Sequence, residues 1–387
     1  MRLFVLGNIS SGKSYFIEKL IKLLPDYKIL RIDDYRIHNC DGSLESEIQM
    51  WNDFPNEVIK YNDVIVEMSG GGQVAQTMVS LLDNNSFLVI KINTSIELCI
   101  ERNKNKDFSK IPYPKQFSND INDIIKQIGA NINSGAIEKL WSKAIKIYDL
   151  PSDYDVLNLP LYQYHELFKL DRILKKIKGS LFTFGSIGRG NMKLTSDVDT
   201  YFLTNLPFEK IGEILKENFN EVRFMANEFV IRDNGILIEM NYIQDINDAA
   251  LFYNRSLIAN PYKTILKDDF NIIDKLVVFA KEKIDIEKEI KFTIERLNYY
   301  VESLPTLIKK QDDYKYYFHN NIIVHEYVKL KAFLKNVFDF SYLPLQAKQY
   351  LTDEEWSNIL YSFGDDQKLH YTIVRKMADD IILKFKC

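Results

Sequence analysis

Residues 182–202, FTFGSIGRGNMKLTSDVDTYF, constrain the fold more than any other stretch of the chain. They read as a strand, a Gly-Ser turn, the start of a short polar helix, and a second strand that holds two carboxylates. Asp197 and Asp199 stand two apart in an apolar run, so in a strand both side chains leave the same face. Two carboxylates on one face repel each other unless a cation neutralises them, and oxygen ligands of this kind suit Mg²⁺. Upstream, Gly185 and Ser186 can bring backbone N–H groups against a triphosphate, because glycine permits a close approach. Arg189 adds a fixed positive charge beside them.

A Gly-Ser pair followed about ten residues later by Asp-x-Asp resembles the signature of the DNA polymerase β nucleotidyltransferase superfamily. Downstream, a helix over 207–219 precedes strands over 221–225 and 228–232. Asn234-Gly235 then supplies the positive dihedrals of a two-residue hairpin. In the next strand, 236–242, Glu239 is the only charged residue, and a lone carboxylate in an apolar strand is costly unless it meets a cation. The resemblance implies that Glu239 is the third acidic metal ligand and assists deprotonation of the acceptor hydroxyl. It also implies in-line attack of an acceptor oxygen on the α-phosphorus of a nucleoside triphosphate between two metals.

The chain has 387 residues, room for two or three domains. At 46% hydrophobic and 13% aromatic it can bury substantial cores. A net charge of −4 argues against broad non-specific nucleic-acid binding. Cys40, Cys99 and Cys387 are too widely spaced for a disulfide framework or a zinc pattern. The chain enters a strand and a glycine loop at once, which leaves no room for a signal peptide. No apolar run reaches the roughly 18 residues that span a bilayer. The expectation is a reduced, cytoplasmic protein without a membrane segment.

Residues 3–6 form a short apolar strand, and residues 7–14, GNISSGKS, follow before a helical run. This matches the P-loop in its strand–loop–helix setting. Gly7, Gly12 and the loop N–H groups cradle phosphates, Lys13 bridges the terminal ones and Ser14 ligates Mg²⁺. A second strand, 28–32, ends in Asp33-Asp34-Tyr35-Arg36. Asp33 is the expected base for the acceptor hydroxyl, and Arg36 the expected contact to an anion on the acceptor. The run is similar to that of polynucleotide 5′-hydroxyl kinases, although other P-loop kinases carry Asp-Asp here and Asp34 and Arg36 can equally cap a helix. Glu67, in a third strand over 63–68, sits where an acidic group approaches the Mg²⁺. Gly70 and Gly71 resemble the acceptor-binding loop of shikimate-kinase-like enzymes, or form a flexible turn. After a fourth strand over 87–93 and a helix carrying Arg102, a basic excursion over 103–115 resembles the lid of small kinases. Arg102, Lys104 and Lys106 are its candidate cations, and an exposed loop is the other reading of the lysines. Alternating strands and helices imply a parallel sheet.

Residues 149–161 carry two prolines without periodicity and mark the boundary before a helix over 162–178. From residue 270 on, apolar spacing predicts helices over 270–283, 287–304, 313–339, 344–350 and 353–384, the last broken at Gly364. Such a domain resembles the helices that close the acceptor pocket of aminoglycoside nucleotidyltransferases. His319, His325 and Glu326 are pocket candidates there, and Tyr299, Tyr300, Tyr316 and Tyr317 form an aromatic group.

The expected fold class is an α/β P-loop domain with a parallel sheet (1–155), an α+β nucleotidyltransferase domain (160–265) and an all-α domain (266–387). The expected function is a kinase joined to a nucleotidyltransferase, with ATP or another NTP as substrate, Mg²⁺ as cofactor and a small-molecule acceptor. A polynucleotide end is an alternative acceptor, opposed by the net charge. A second alternative is a protein-modifying nucleotidyltransferase with a P-loop sensor. Neither the acceptor nor the oligomeric state can be read from the residues.

Overall fold

The structure, a computed structural model, describes residues 1–104, 111–114, 120–282, 285–337, 343–364 and 366–385. Most of the expected lid, Lys106 included, lies outside them. The chain divides into two compact units, Met1–Ala249 with Ile258–Val277, and Ala250–Leu257 with Val278–Cys387.

The first unit holds two sheets. β1 (Arg2–Gly7), β2 (Lys28–Arg31), β3 (Val64–Met68), β4 (Phe87–Ile92) and β5 (Lys146–Leu150) form an all-parallel sheet in the order β2-β3-β1-β4-β5. The helices between them are α1 (Lys13–Leu23), α2 (Ile32–Asn39), α3 (Leu44–Ile59), α4 (Gly72–Leu81), α5 (Ile96–Asn103), α6 (Ile121–Asn133) and α7 (Ala136–Leu140). β1, β3 and β4 are apolar throughout their centres because both faces are covered. On one face Phe4, Val66 and Phe87 pack with Phe54 and Trp141. On the other, Leu3, Val5 and Ile90 pack with α1 residues Phe16 and Leu20.

The Leu3, Val5 and Ile90 cluster continues without a break into the second sheet. α8 (Leu161–Leu174) supplies Leu167 and Leu170, and the second sheet supplies Leu181, Val198, Phe202 and Ile238. That sheet consists of β6 (Ser180–Thr183), β7 (Val198–Leu203), β8 (Glu221–Met225), β9 (Glu228–Asp233), β10 (Ile236–Ile243) and β11 (Ile265–Asp268), ordered β11-β6-β7-β10-β9-β8. Only β7 and β10 pair in parallel; the other pairs are antiparallel. α9 (Gly185–Gly188) and α10 (Phe208–Asn218) flank β7. Polar contacts join the two sheets as well. Asn85 donates to the carbonyls of Tyr262 and Ile265, at 2.7 Å each, and Lys146 to that of Gly190 at 2.7 Å.

The second unit begins with α11 (Ala250–Arg255), and the chain enters it again within α12 (Ile273–Lys281). It continues as α13 (Ile286–Lys310), α14 (Asp313–Phe333), α15 (Leu343–Tyr350), α16 (Asp353–Tyr361) and α17 (Gln367–Leu383). Leu297, Val301, Leu304, Leu330 and Ile381 form its core.

Several local expectations need correction. β2 ends at Arg31 and α2 starts at Ile32, so Asp33 and Asp34 occupy a helical first turn, where carboxylates meet the positive end of the helix dipole. The break at Gly364 is real, but the helix expected over 313–339 stops at Phe333. Two edge strands, β5 and β11, carry no sequence signal because each is a short run of mixed polarity.

Candidate active sites

The loop of residues 7–14 leaves the C-terminal end of β1 and enters α1, so Lys13 and Ser14 stand at a helix N-terminus. Gly12 has φ 98°, a left-handed conformation that favours glycine, and a Cβ there would lie 2.7 Å from the Ser152 Cβ. Lys13 Nζ donates to the carbonyls of Gly7 at 3.1 Å and Asn8 at 2.7 Å. Ser14 Oγ donates to Glu67 Oε1 at 2.9 Å, and Arg31 Nε to Glu67 Oε2 at 3.1 Å. Arg102 reaches over the loop and donates to the Ser11 carbonyl at 3.3 Å.

Asp33, Glu67 and the loop over 69–72 come together at the same ends of the parallel strands, where open α/β sheets place their ligands. They line a cavity of about 640 Å³ that includes Lys13, Ser14, Arg36 and Gly71. Asp33 Oδ1 accepts from Arg36 Nη1 at 2.6 Å and from the Tyr113 hydroxyl at 3.0 Å. Arg36 is buried, and its other edge is held by Glu47 through Nε at 2.9 Å and Nη2 at 2.8 Å. The Tyr113 ring covers the guanidinium face, 4.6 Å from its centre. Arg36 therefore meets two carboxylates of its own chain, where an acceptor anion was expected. Gly70 is anchored from the core: buried Trp141 donates its indole N–H to the Gly70 carbonyl at 2.7 Å.

The second site lies on the second sheet. Asp199 on β7 stands directly opposite Glu239 on the parallel neighbour β10, and Asp197 precedes β7 on the same side. One carboxylate oxygen from each of Asp197, Asp199 and Glu239 lies within 4.8 Å of the others. Burial, then the Asp197 and Glu239 charges, push the Asp199 carboxyl up to about 7, against the pull of Arg189. Burial, then Asp197 and Glu228, also raise Glu239. Three clustered oxygens and a carboxylate this reluctant to ionise fit a divalent cation, which would remove the repulsion. Gly185, at φ 58°, faces this cluster, and a Cβ on it would fall on the Asp199 carboxylate. Ser186 is buried, and its Oγ has no hydrogen-bond partner among the described residues.

Glu228 on β9 is a fourth carboxylate of this face, found only through the sheet: it stands opposite Asn241, two residues beyond Glu239 on β10. Burial raises it too. Glu47 and Tyr113 of the first site also carry no motif of their own.

Of the helical candidates, His319, Glu326, Tyr316 and Tyr317 make contacts within their own unit, while His325 and Tyr299 are exposed. His319 Nδ1 lies 2.7 Å from Ser303 Oγ, and Glu326 is buried 3.1 Å from Arg296. Tyr316 and Tyr317 donate to the carbonyls of Gln367 and Gly364, at 3.2 and 2.9 Å.

Residues 169–330 match the family described as Nucleotidyltransferase domain. This part of the chain is a nucleotidyltransferase domain, and the chain is a transferase. No curated protein matches the chain. Among solved structures it is similar to shikimate kinase from Acinetobacter baumannii in complex with shikimate (TM-score 0.30, 14% identity, 45% of this chain and 93% of that one). It is similar to deoxyadenosine kinase from M. mycoides (TM-score 0.28, 14% identity, 44% and 100%). A third is a nucleotidyltransferase-like protein from Exiguobacterium sibiricum (TM-score 0.32, 11% identity, 58% and 75%). Among the described residues, no helix is long and apolar enough to cross a membrane.

Proposed function

We propose that this chain is a bifunctional kinase and nucleotidyltransferase whose two sites act in series on a small-molecule acceptor. The observation that carries this reading is the presence, in one compact unit, of a phosphate loop facing a carboxylate-lined cavity and a separate three-carboxylate cluster beside Gly185 and Ser186. At the first site Lys13 exchanges its two carbonyl partners for the phosphates of ATP, and Asp33 accepts the proton of the attacking hydroxyl through its second oxygen. The new O–P bond forms at the γ-phosphorus as the bond to ADP breaks.

At the second site the oxygen that attacks the α-phosphorus belongs to the phosphate just installed, and pyrophosphate leaves. That oxygen is already ionised, so no base is required for the serial reaction. Asp197, Asp199 and Glu239 would hold Mg²⁺, which supplies charge neutralisation of the triphosphate when bound. Ser186 and Arg189 orient the triphosphate, Ser186 through an oxygen that has no internal partner.

The test incubates purified protein with Mg²⁺, the four NTPs and a fractionated metabolite extract, and reads ADP, pyrophosphate and new masses together. The expected product gains a phosphate plus a nucleotidyl group, and is lost in both Lys13→Ala and Asp199→Ala. Nucleotidyl mass on protein alone would refute the small-molecule reading in favour of protein modification.

A further inference from the structure

The phosphoryl-acceptor cavity contains two arginines, and each is already paired with carboxylates of the chain. Arg36 has both edges of its guanidinium engaged, by Glu47 and by Asp33, and its face lies against Tyr113. Arg31 is bound to Glu67 and lies 3.5 Å from Asp34. The remaining described cation of the lining is Lys13, which serves the nucleotide phosphates. Against these three cations stand four carboxylates, Asp33, Asp34, Glu47 and Glu67. The wall behind Asp33 is aromatic, with Trp51 and Tyr113, and Trp51 donates its indole N–H to Glu47 at 3.3 Å.

We infer that the acceptor of this site is an uncharged polyhydroxy molecule of the sugar or polyol class, and that the Glu47–Arg36–Asp33 chain excludes carboxylate- or phosphate-bearing competitors. The inference rests on the kinase reading above. A carboxylate or phosphate placed here meets like charge and finds no unpaired guanidinium, whereas hydroxyls find carboxylate acceptors on one side and an aromatic wall on the other. Glu47 is thus a positioning residue: it draws Arg36 back, and Arg36 in turn holds Asp33 with one oxygen left for the attacking hydroxyl.

The test measures ADP formation with matched acceptors that differ by one anionic group: hexoses and cyclitols against uronates and sugar phosphates, with a 5′-hydroxyl oligonucleotide alongside. Turnover is expected for uncharged members, with kcat/KM roughly 100-fold above their anionic counterparts, the size of a like-charge penalty. Equal or better turnover of the anionic member, or of the oligonucleotide, overturns the inference and leaves the kinase reading intact. No ADP with any acceptor, while ATP still binds, removes the kinase reading itself and this inference with it. Calorimetry supplies a readout separate from turnover. With ADP filling the nucleotide loop, Glu47→Gln should bind glucuronate about tenfold more tightly than the parent, because it unmasks one edge of Arg36. A folded Glu47→Gln protein with unchanged affinity shows that Glu47 does not withhold Arg36, and refutes the mechanism of exclusion.

Discussion

Replacing Asp199 with asparagine should stabilise the metal-free protein while destroying its response to Mg²⁺. The carboxyl lies at about 7 in the fold, against 3.8 for an ordinary aspartate. A raised carboxyl means that the folded state holds the proton more tightly than the unfolded one. Its favourable contribution is present below about pH 4 and is lost as pH rises through 7. At pH 8 both states are ionised, and the difference of about 3 pH units, at 1.36 kcal/mol each, bounds the cost of the native charge at roughly 4 kcal/mol. At pH 5 the same bound is about 1.6 kcal/mol, because only the unfolded state has ionised. The amide introduced by Asp199→Asn keeps the shape of the side chain and carries no charge. Relaxation around the carboxylates lowers both figures, so about 1–2 kcal/mol at pH 8 is expected, or roughly 2–6 °C in the melting of a unit this size.

The assay is thermal unfolding in a chelator, followed by tryptophan fluorescence in a Trp356→Phe background. Only Trp51 and Trp141, both in the first unit, then report. Mg²⁺ at 100 times its Kd should stabilise the parent by about 2.7 kcal/mol at pH 8 and leave Asp199→Asn unmoved. An Asp199→Asn protein less stable than the parent at pH 8, or a gain that does not shrink at pH 5, refutes the electrostatic argument.

Lys13→Ala should lower phosphoryl transfer by about 100-fold or more and leave NMP transfer to an already phosphorylated acceptor unchanged. Asp199→Ala should do the reverse, and a folded variant that loses both activities would show that the sites are not independent. Gly185→Ala forces a side chain into a left-handed conformation against the Asp199 carboxylate. It should cost about 2 kcal/mol or more in a denaturant titration, and abolish the Mg²⁺-dependent shift. Trp141→Phe removes the donor to the buried Gly70 carbonyl. An expected loss of about 1–3 kcal/mol, with a raised KM for the acceptor and an unchanged KM for ATP, would be seen in steady-state kinetics; an unaltered acceptor KM refutes the anchoring role.

The strand–loop–helix around residues 7–14 and the Ser-Asp-x-Asp strand were legible because their patterns are local. Gly12, Lys13 and Ser14 are neighbours in sequence and remain neighbours at a helix start, and Asp197 and Asp199 share a face by the two-residue period of a strand. Glu239 was legible as an unsatisfied charge in an apolar strand. Strands β5 and β11 were not, since each is a short run of mixed polarity without a two-residue alternation. The pairing of Arg36 was not legible: its own helix shows Asp33 three residues before it, while Glu47 arrives from α3 and Tyr113 from beyond residue 110.

The sequence by itself determined the two sheet folds and the helical C-terminal part, because periodicity and short motifs act over a few residues. Tertiary structure alone decided which charges remain available. Glu47 and Asp33 neutralise Arg36 across an eleven-residue span and a helical turn, the parallel pairing of β7 and β10 sets Asp199 against Glu239, and burial there lifts the carboxyl to about 7. Charge pairing and desolvation depend on distance in space, and distance in space is what the packing of one continuous core between two sheets imposes.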